Sequence, residues 1–216
     1  IAGPTASGKS DLALYLAKYF DGEIVNYDSL QLFRYLDIGT AKPSKYEQSR
    51  VPHHLIDILD PDEAFSAGQY QNRARGVLND IRKRNRLPIL VGGTGLYLRA
   101  VLEGLFDGPQ RSKYWRTRME AIAEDKGREY LHSLLERLDP SSAVRIAARD
   151  LPKVIRALEV RFTTGRNLSS HLDATPRRPI EGFAFNIVGL NPPRTVLYER
   201  IEERVRWMWK VGLVDE

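Results

Sequence analysis

The chain has 216 residues, of which 42% are hydrophobic and 28% charged, with no cysteine and a net charge of +5. It is long enough to bury a full core as one large or two small domains, and its composition is that of an ordinary globular protein. Disulfide scaffolds, thiolate nucleophiles and Cys-type zinc sites are excluded, and no apolar run reaches membrane-spanning length.

The first element is a loop. Gly3-Pro4-Thr5-Ala6-Ser7-Gly8-Lys9-Ser10 fits the phosphate-binding pattern G-x-x-x-x-G-K-[ST]. Backbone N–H groups of such a loop point at phosphate oxygens, and the helix that follows presents its positive end to the same anion. Lys9 adds a point charge there, and the Ser10 hydroxyl is placed to help hold Mg²⁺. Ile1-Ala2 are what is visible of a preceding strand, and Asp11 to Ala17 read as the start of the helix. Glu23 to Tyr27 form a short buried strand ending at Asp28. A loop rich in Pro and Lys runs through Asp37 to Pro43, and Leu55 to Leu59 read as a second strand closed by Asp60-Pro61. Ser66 caps a helix reaching about Arg84, with Tyr70, Ala74, Val77, Leu78 and Ile81 on its apolar face. Pro88 to Val91 form an apolar strand that breaks at Gly92-Gly93.

From Ser112 to Thr164 the pattern is helical, with starts at Ser112, Asp139-Pro140 and Asp150. The polar stretch from Arg166 to Pro179 reads as a return linker, Phe183 to Leu190 as another strand, and a last helix begins near Pro193. The expected fold is therefore α/β: a P-loop NTPase-like parallel sheet wrapped by helices, with an inserted all-helical domain. The core spans residues 1–110 and 180–216, and the insertion spans 111–179. Between Arg111 and Arg178 stand fifteen Lys/Arg against nine Asp/Glu, so the basic excess of the chain sits in the insertion. That is the footprint of a polyanion partner, although a solvated basic helical surface has the same count.

Ligands of such sheets bind outside the carboxyl ends of the strands. Asp28 stands at one such end, followed by Ser29-Leu30-Gln31, and an Asp there can take a proton or hold a metal. The strand 88–91 ends in Gly92-Gly93-Thr94 with no carboxylate, which argues against a hydrolysing NTPase. Thr94 offers a hydroxyl beside the phosphate loop or caps the next helix. Adjacent His53 and His54 do not converge on one metal and are expected to fix a loop. Arg200 and Arg204, four apart on one helical face, reach for a diphosphate or pair with Glu199 and Glu203. Trp207 and Trp209 are expected to pack.

Six ordered motifs make the chain resemble the tRNA dimethylallyltransferases (tRNA isopentenyltransferases): residues 3–10, 28–31, 37–43, 52–57, 92–97 and 156–159. The resemblance implies transfer of a dimethylallyl group from dimethylallyl diphosphate to N6 of adenosine 37 in tRNA by a monomeric enzyme, and the lack of cysteine fits a cytoplasmic one. By it, Thr5 to Ser10 hold the diphosphate, and Lys9, Arg204 and Mg²⁺ at Ser10 neutralise the departing pyrophosphate. Asp28 is the general base, and Ser29, Leu30 and Gln31 line the region that meets the target nucleotide. Thr94, Arg116 and the segment Pro152-Lys153-Val154-Ile155-Arg156 match positions that contact RNA, so the insertion grips the anticodon stem-loop. Pro152 stands where the bacterial pattern has a polar side chain. The family chain continues beyond Glu216. Rival readings are an adenylate isopentenyltransferase acting on free nucleotides, a P-loop small-molecule kinase, and a non-catalytic RNA-binding module.

Overall fold

The computed structural model describes residues 1–106, 108–174 and 177–216. It separates into two compact units, Ile1–Gly104 with Pro179–Glu216, and Leu105–Arg178. The expected core included Asp107, and the expected linker included Thr175 and Pro176; these three lie outside the described residues. No helix among the described residues is long and apolar enough to cross a membrane.

In the first unit the phosphate loop leads into α1 (Lys9–Tyr19), followed by β1 (Gly22–Asn26), α2 (Lys45–Arg50) and β2 (His53–His54). Then come α3 (Ala67–Lys83), β3 (Leu87–Val91) and α4 (Gly95–Glu103). The sheet has the order β2-β1-β3, all parallel, with Ile24 opposite both His53 and Ile89. Every residue of β1 is buried, as a central strand covered on both faces requires. On one side Tyr70, Ala74, Leu78 and Ile81 of α3 pack with Val25 and Leu90; on the other Ala13 and Ala17 of α1 pack with Ile24 and Ile89. Ser66 begins α3 as expected: its hydroxyl accepts the Gln69 N–H, and the Gln69 side chain accepts the Ser66 N–H.

Two expected strands are not formed. Leu55 and Asp57 take φ of 60° and 55°, in the left-handed region that breaks a strand, so the segment 55–59 contributes one parallel bridge, Phe33 to Leu59. The strand opposite β1 is instead His53–His54. The segment 183–190 is mostly exposed and pairs at one point, where Ala2 bridges Gly189. The unit closes with α10 (Arg194–Lys210).

The second unit is helical: α5 (Lys113–Lys126), α6 (Arg128–Leu138), α7 (Pro140–Arg145), α8 (Leu151–Thr164) and α9 (Leu168–Ala174). Ser112 and Asp139 cap α5 and α7 through their side chains, and Pro152 sits in the first turn of α8, where its missing N–H costs nothing. Within the expected linker, Leu168–Ala174 form α9, held by a buried carboxylate. Asp139 accepts the N–H and hydroxyl of Ser169 at 3.0 and 2.6 Å and those of Ser142 at 3.1 and 2.6 Å. The core is Met119, Leu131, Leu135, Val154, Ile155 and Leu158.

Candidate active site

The strand ends and the phosphate loop open onto a cavity of about 840 Å³ in the first unit. Its wall includes the whole loop from Gly3 to Ser10, together with Asp28, Gln31, Lys42, Gly92, Gly93, Arg200, Arg204 and Trp207. Gly8 turns the loop into α1 at φ 88° and ψ 18°, a conformation that costs a side-chain-bearing residue energy. No side chain caps α1, so its first N–H groups are left for a ligand.

Lys9 folds over its own loop, donating to the carbonyls of Gly3 and Pro4 at 2.9 and 2.6 Å. Burial lowers its pKa, Asp28 opposes that shift and Arg204 adds to it. Arg204 is lowered by burial too, again opposed by Asp28. Two half-buried cations thus face one carboxylate, which leaves an excess of positive charge in the cavity that the phosphate loop lines. Arg200 donates to the Ala6 carbonyl at 3.4 Å from the same helix.

Asp28 is held by its surroundings. Its N–H donates to Asn26 Oδ1 at 2.9 Å, and its Oδ1 accepts the Leu30 N–H at 3.0 Å. Gly92 lets β3 run against it. A Cβ there would lie 2.5 Å from the Tyr27 carbonyl carbon and 2.6 Å from the Asp28 nitrogen, so no larger residue fits. A Cβ on Gly93 would stand 3.2 Å from Asp28 Oδ2. The Gly-Gly pair therefore explains the missing carboxylate at the end of β3: that space belongs to Asp28. Thr94 occupies the N-cap position of α4, but its hydroxyl does not cap. It accepts the Ser29 N–H at 2.9 Å and donates to Ser29 Oγ at 3.1 Å, which pins the turn after Asp28. Gln31 donates to the carbonyls of Thr40 and Ala41 at 3.1 and 3.2 Å. Leu30 is exposed.

His53 lines the cavity, its Nδ1 2.7 Å from the Val51 carbonyl oxygen, and burial lowers its pKa, favouring the neutral ring. His54 Nε2 lies 2.6 Å from Oε2 of buried Glu23, which Arg84 also pairs. Among the described residues no group of three His, Cys, Asp or Glu could hold a metal. The expectation that Trp207 and Trp209 pack is corrected. They are 52% and 62% exposed, and Trp207 faces the cavity, because Met208 is the one residue that α10 buries.

In the second unit the residues matched to RNA contacts are tied to one another. Glu159 is fully buried and accepts from Arg116 Nε and Nη2 at 3.1 Å each, from Arg156 Nη1 at 2.8 Å and from the Ser112 N–H at 2.6 Å. Burial opposes its ionisation, yet the hydrogen bonds from Arg156 and Arg116 hold its carboxyl below the usual range. Val154 and Ile155 are core residues, whereas Lys153 is largely exposed and pairs with Asp150.

Sequence reasoning passed over Asn26, whose buried amide donates to Leu55 and Asp28 carbonyls at 2.9 and 3.1 Å, and Lys42, whose Nζ meets Asp57 at 2.6 Å. Lys42 and Glu159 lie inside motifs quoted for the family. Asn26 carried no signal beyond preceding Asp28 by two positions.

The IPP transferase family model matches residues 31–216. This chain belongs to the IPP transferase family. A tRNA dimethylallyltransferase of Solibacter usitatus is 53% identical over the entire chain, and one of Koribacter versatilis 49%, with the chain covering 70% of each. The tRNA isopentenylpyrophosphate transferase of Bacillus halodurans superposes with a TM-score of 0.64 at 41% identity over 99% of this chain and 66% of that one. A eukaryotic dimethylallyltransferase acting on tRNA superposes with 0.82 at 27% identity, over 99% of this chain and 53% of that one. The chain thus spans from about half to 70% of its family relatives, and the P-loop-like α/β fold is shared with them.

Proposed function

We propose that this chain transfers a dimethylallyl group from dimethylallyl diphosphate to N6 of adenosine 37 in tRNA, releasing diphosphate. The observation that carries this reading is the cavity that Lys9, Arg204 and the phosphate loop line together with the carboxylate of Asp28. A cradle for a leaving anion and a base for an incoming amine are what such a substitution needs. Chain relatives that carry out tRNA prenylation by name support it.

In the proposed reaction N6 attacks C1 of the allyl group while the bond from C1 to the diphosphate oxygen breaks. Asp28 accepts the N6 proton. Lys9, released from the Gly3 and Pro4 carbonyls, and Arg204 meet the charge that grows on the departing diphosphate. Thr94 keeps the turn 28–31 in place through Ser29, so that Asp28 and Gln31 face the cavity while the base is turned out of its stack. Mg²⁺ fits the donor set: Ser10 brings a hydroxyl oxygen to the cavity beside the phosphate loop, and this ion is usually held by one or two protein oxygens together with substrate phosphates. The exposed Ser10 hydroxyl in the first turn of α1 would hold it, and the ion would supply charge neutralisation at the diphosphate.

The helical unit is the tRNA-binding part in this reading, on the strength of its basic excess and of exposed Lys153. The deciding assay offers radiolabelled dimethylallyl diphosphate to unmodified tRNA, to AMP, and to a nucleoside with ATP. Label in tRNA alone supports the proposal. Label in AMP, or ATP-dependent phosphorylation of the nucleoside, overturns it.

A further inference from the structure

Beyond the motifs, the turn after α10 makes a long-range contact. Glu216 Oε1 accepts the N–H groups of Asp37 and Ile38 at 2.6 and 2.7 Å, and Oε2 accepts the Gly39 N–H at 2.9 Å. Three successive backbone N–H groups converging on one carboxylate form an anion nest. Burial opposes ionisation of Glu216, but the N–H groups of Gly39, Ile38 and Asp37 and the charge of Lys42 hold its carboxyl below the usual range. Gly39 permits the approach: a Cβ there would already stand 3.2 Å from Leu213 Cδ1 and 3.5 Å from Glu216 Oε2.

This contact joins two walls of the cavity. One wall is α10 with Arg204 and Trp207, and the turn that follows is closed onto that helix by the Leu213 N–H donating to the Met208 carbonyl at 3.0 Å. The other wall is the loop 40–43, whose Thr40 and Ala41 carbonyls hold Gln31. The same loop is braced from within. Lys42, with its side chain 2% exposed, donates to the Phe33 carbonyl at 2.8 Å and pairs with Asp37 and Asp57. A force on the backbone at 37–39 therefore reaches Lys42 and Gln31 on one side and α10 on the other.

The geometry points to Glu216 as a positioning residue: its carboxylate latches the loop 37–43 to the turn after α10 and thereby sets Arg204 in the cavity that Lys9 lines. The assignment rests on the diphosphate reading of the cavity given above. Arg204 lines the same cavity as Lys9 and Asp28, so a small rotation of α10 changes how far its guanidinium reaches into that cavity. Glu216→Gln keeps the shape but removes the charge, and it sets an amide donor against a backbone N–H.

The test uses the full chain with inorganic pyrophosphate as the probe, by titration calorimetry, alongside hydrogen exchange at the amides of residues 37–39. E216Q is expected to weaken pyrophosphate binding about tenfold, to raise KM for dimethylallyl diphosphate to match, and to lower kcat as well, because Arg204 also meets the charge that grows on the departing diphosphate. Exchange at 37–39 should speed up. Glu216→Asp keeps the charge but is one methylene short, and it should recover part of the affinity; it also serves if E216Q folds poorly. Faster exchange with unchanged pyrophosphate affinity would make Glu216 a plain loop tether and overturn the positioning role. Unchanged exchange would overturn the latch itself. If the wild-type chain binds no pyrophosphate, the diphosphate reading fails and the positioning role with it, a result distinct from any difference between wild type and variant.

Discussion

Glu159→Gln removes a charge on which two arginines depend, and it should destabilise the helical unit by about 3 kcal/mol. The side chain is fully buried and accepts hydrogen bonds from Arg116, Arg156 and the Ser112 N–H. Breaking a buried ion pair by removing one partner costs about 3–5 kcal/mol, chiefly because the remaining charge is stranded. Here the stranded groups are Arg116 and Arg156, with side chains 21% and 26% exposed, so both regain some hydration and the low end of that range applies. At about 2–4 °C per kcal/mol for a protein of this size, the melting midpoint should fall by about 6–12 °C. Circular dichroism, with the fluorescence of Trp115 as a local probe, reads that shift. The pH dependence follows from the same pair. The folded carboxyl titrates below its ordinary 4.5, so its stabilisation is complete above that value and is lost as pH falls through the folded pKa. The wild-type and E159Q midpoints should therefore converge in acid. A shift of less than about 2 °C at neutral pH would refute the argument that Arg116 and Arg156 are committed to Glu159.

Lys9→Met should raise KM for dimethylallyl diphosphate and lower kcat, each by about tenfold or more, with the melting midpoint little changed; steady-state kinetics separate the two effects. Asp28→Asn should reduce the single-turnover transfer rate by about a hundredfold or more while pyrophosphate affinity does not fall, and an unchanged rate removes the general base. Thr94→Val should lower kcat by about tenfold through the unpinned Ser29 turn, and Thr94→Ser should restore it. Lys153→Gln should reduce the slope of log affinity for tRNA against log salt by about 0.7–0.9, whereas Arg116→Gln should act through stability more than through the slope.

Local pattern and loop chemistry were enough for part of this architecture. The phosphate loop announces its conformation through Gly8 and its charge through Lys9. The caps at Ser66, Ser112 and Asp139 lie where hydroxyl or carboxylate residues precede an apolar period. The expected strand over 55–59 failed because Leu55 and Asp57 adopt left-handed backbone, held by Asn26 and Lys42 from distant parts of the chain. Hydropathy carries no trace of such partners. Likewise α9 lies in a polar segment whose helix is anchored by Asp139, thirty positions earlier.

The amino-acid sequence by itself determined the chemistry available: an anion loop, a carboxylate at a strand end, a basic helical segment and no thiols. These are properties of residue type and short spacing, which survive without knowledge of contacts. Tertiary structure decided which charges are free to act. It gave Arg204 to the cavity and Arg116 and Arg156 to Glu159, and it set Glu216 on the backbone of 37–39. The reason is physical: the cost of leaving a buried charge unpaired is met by whichever opposite group the fold brings within reach, and that distance is not encoded in spacing along the chain.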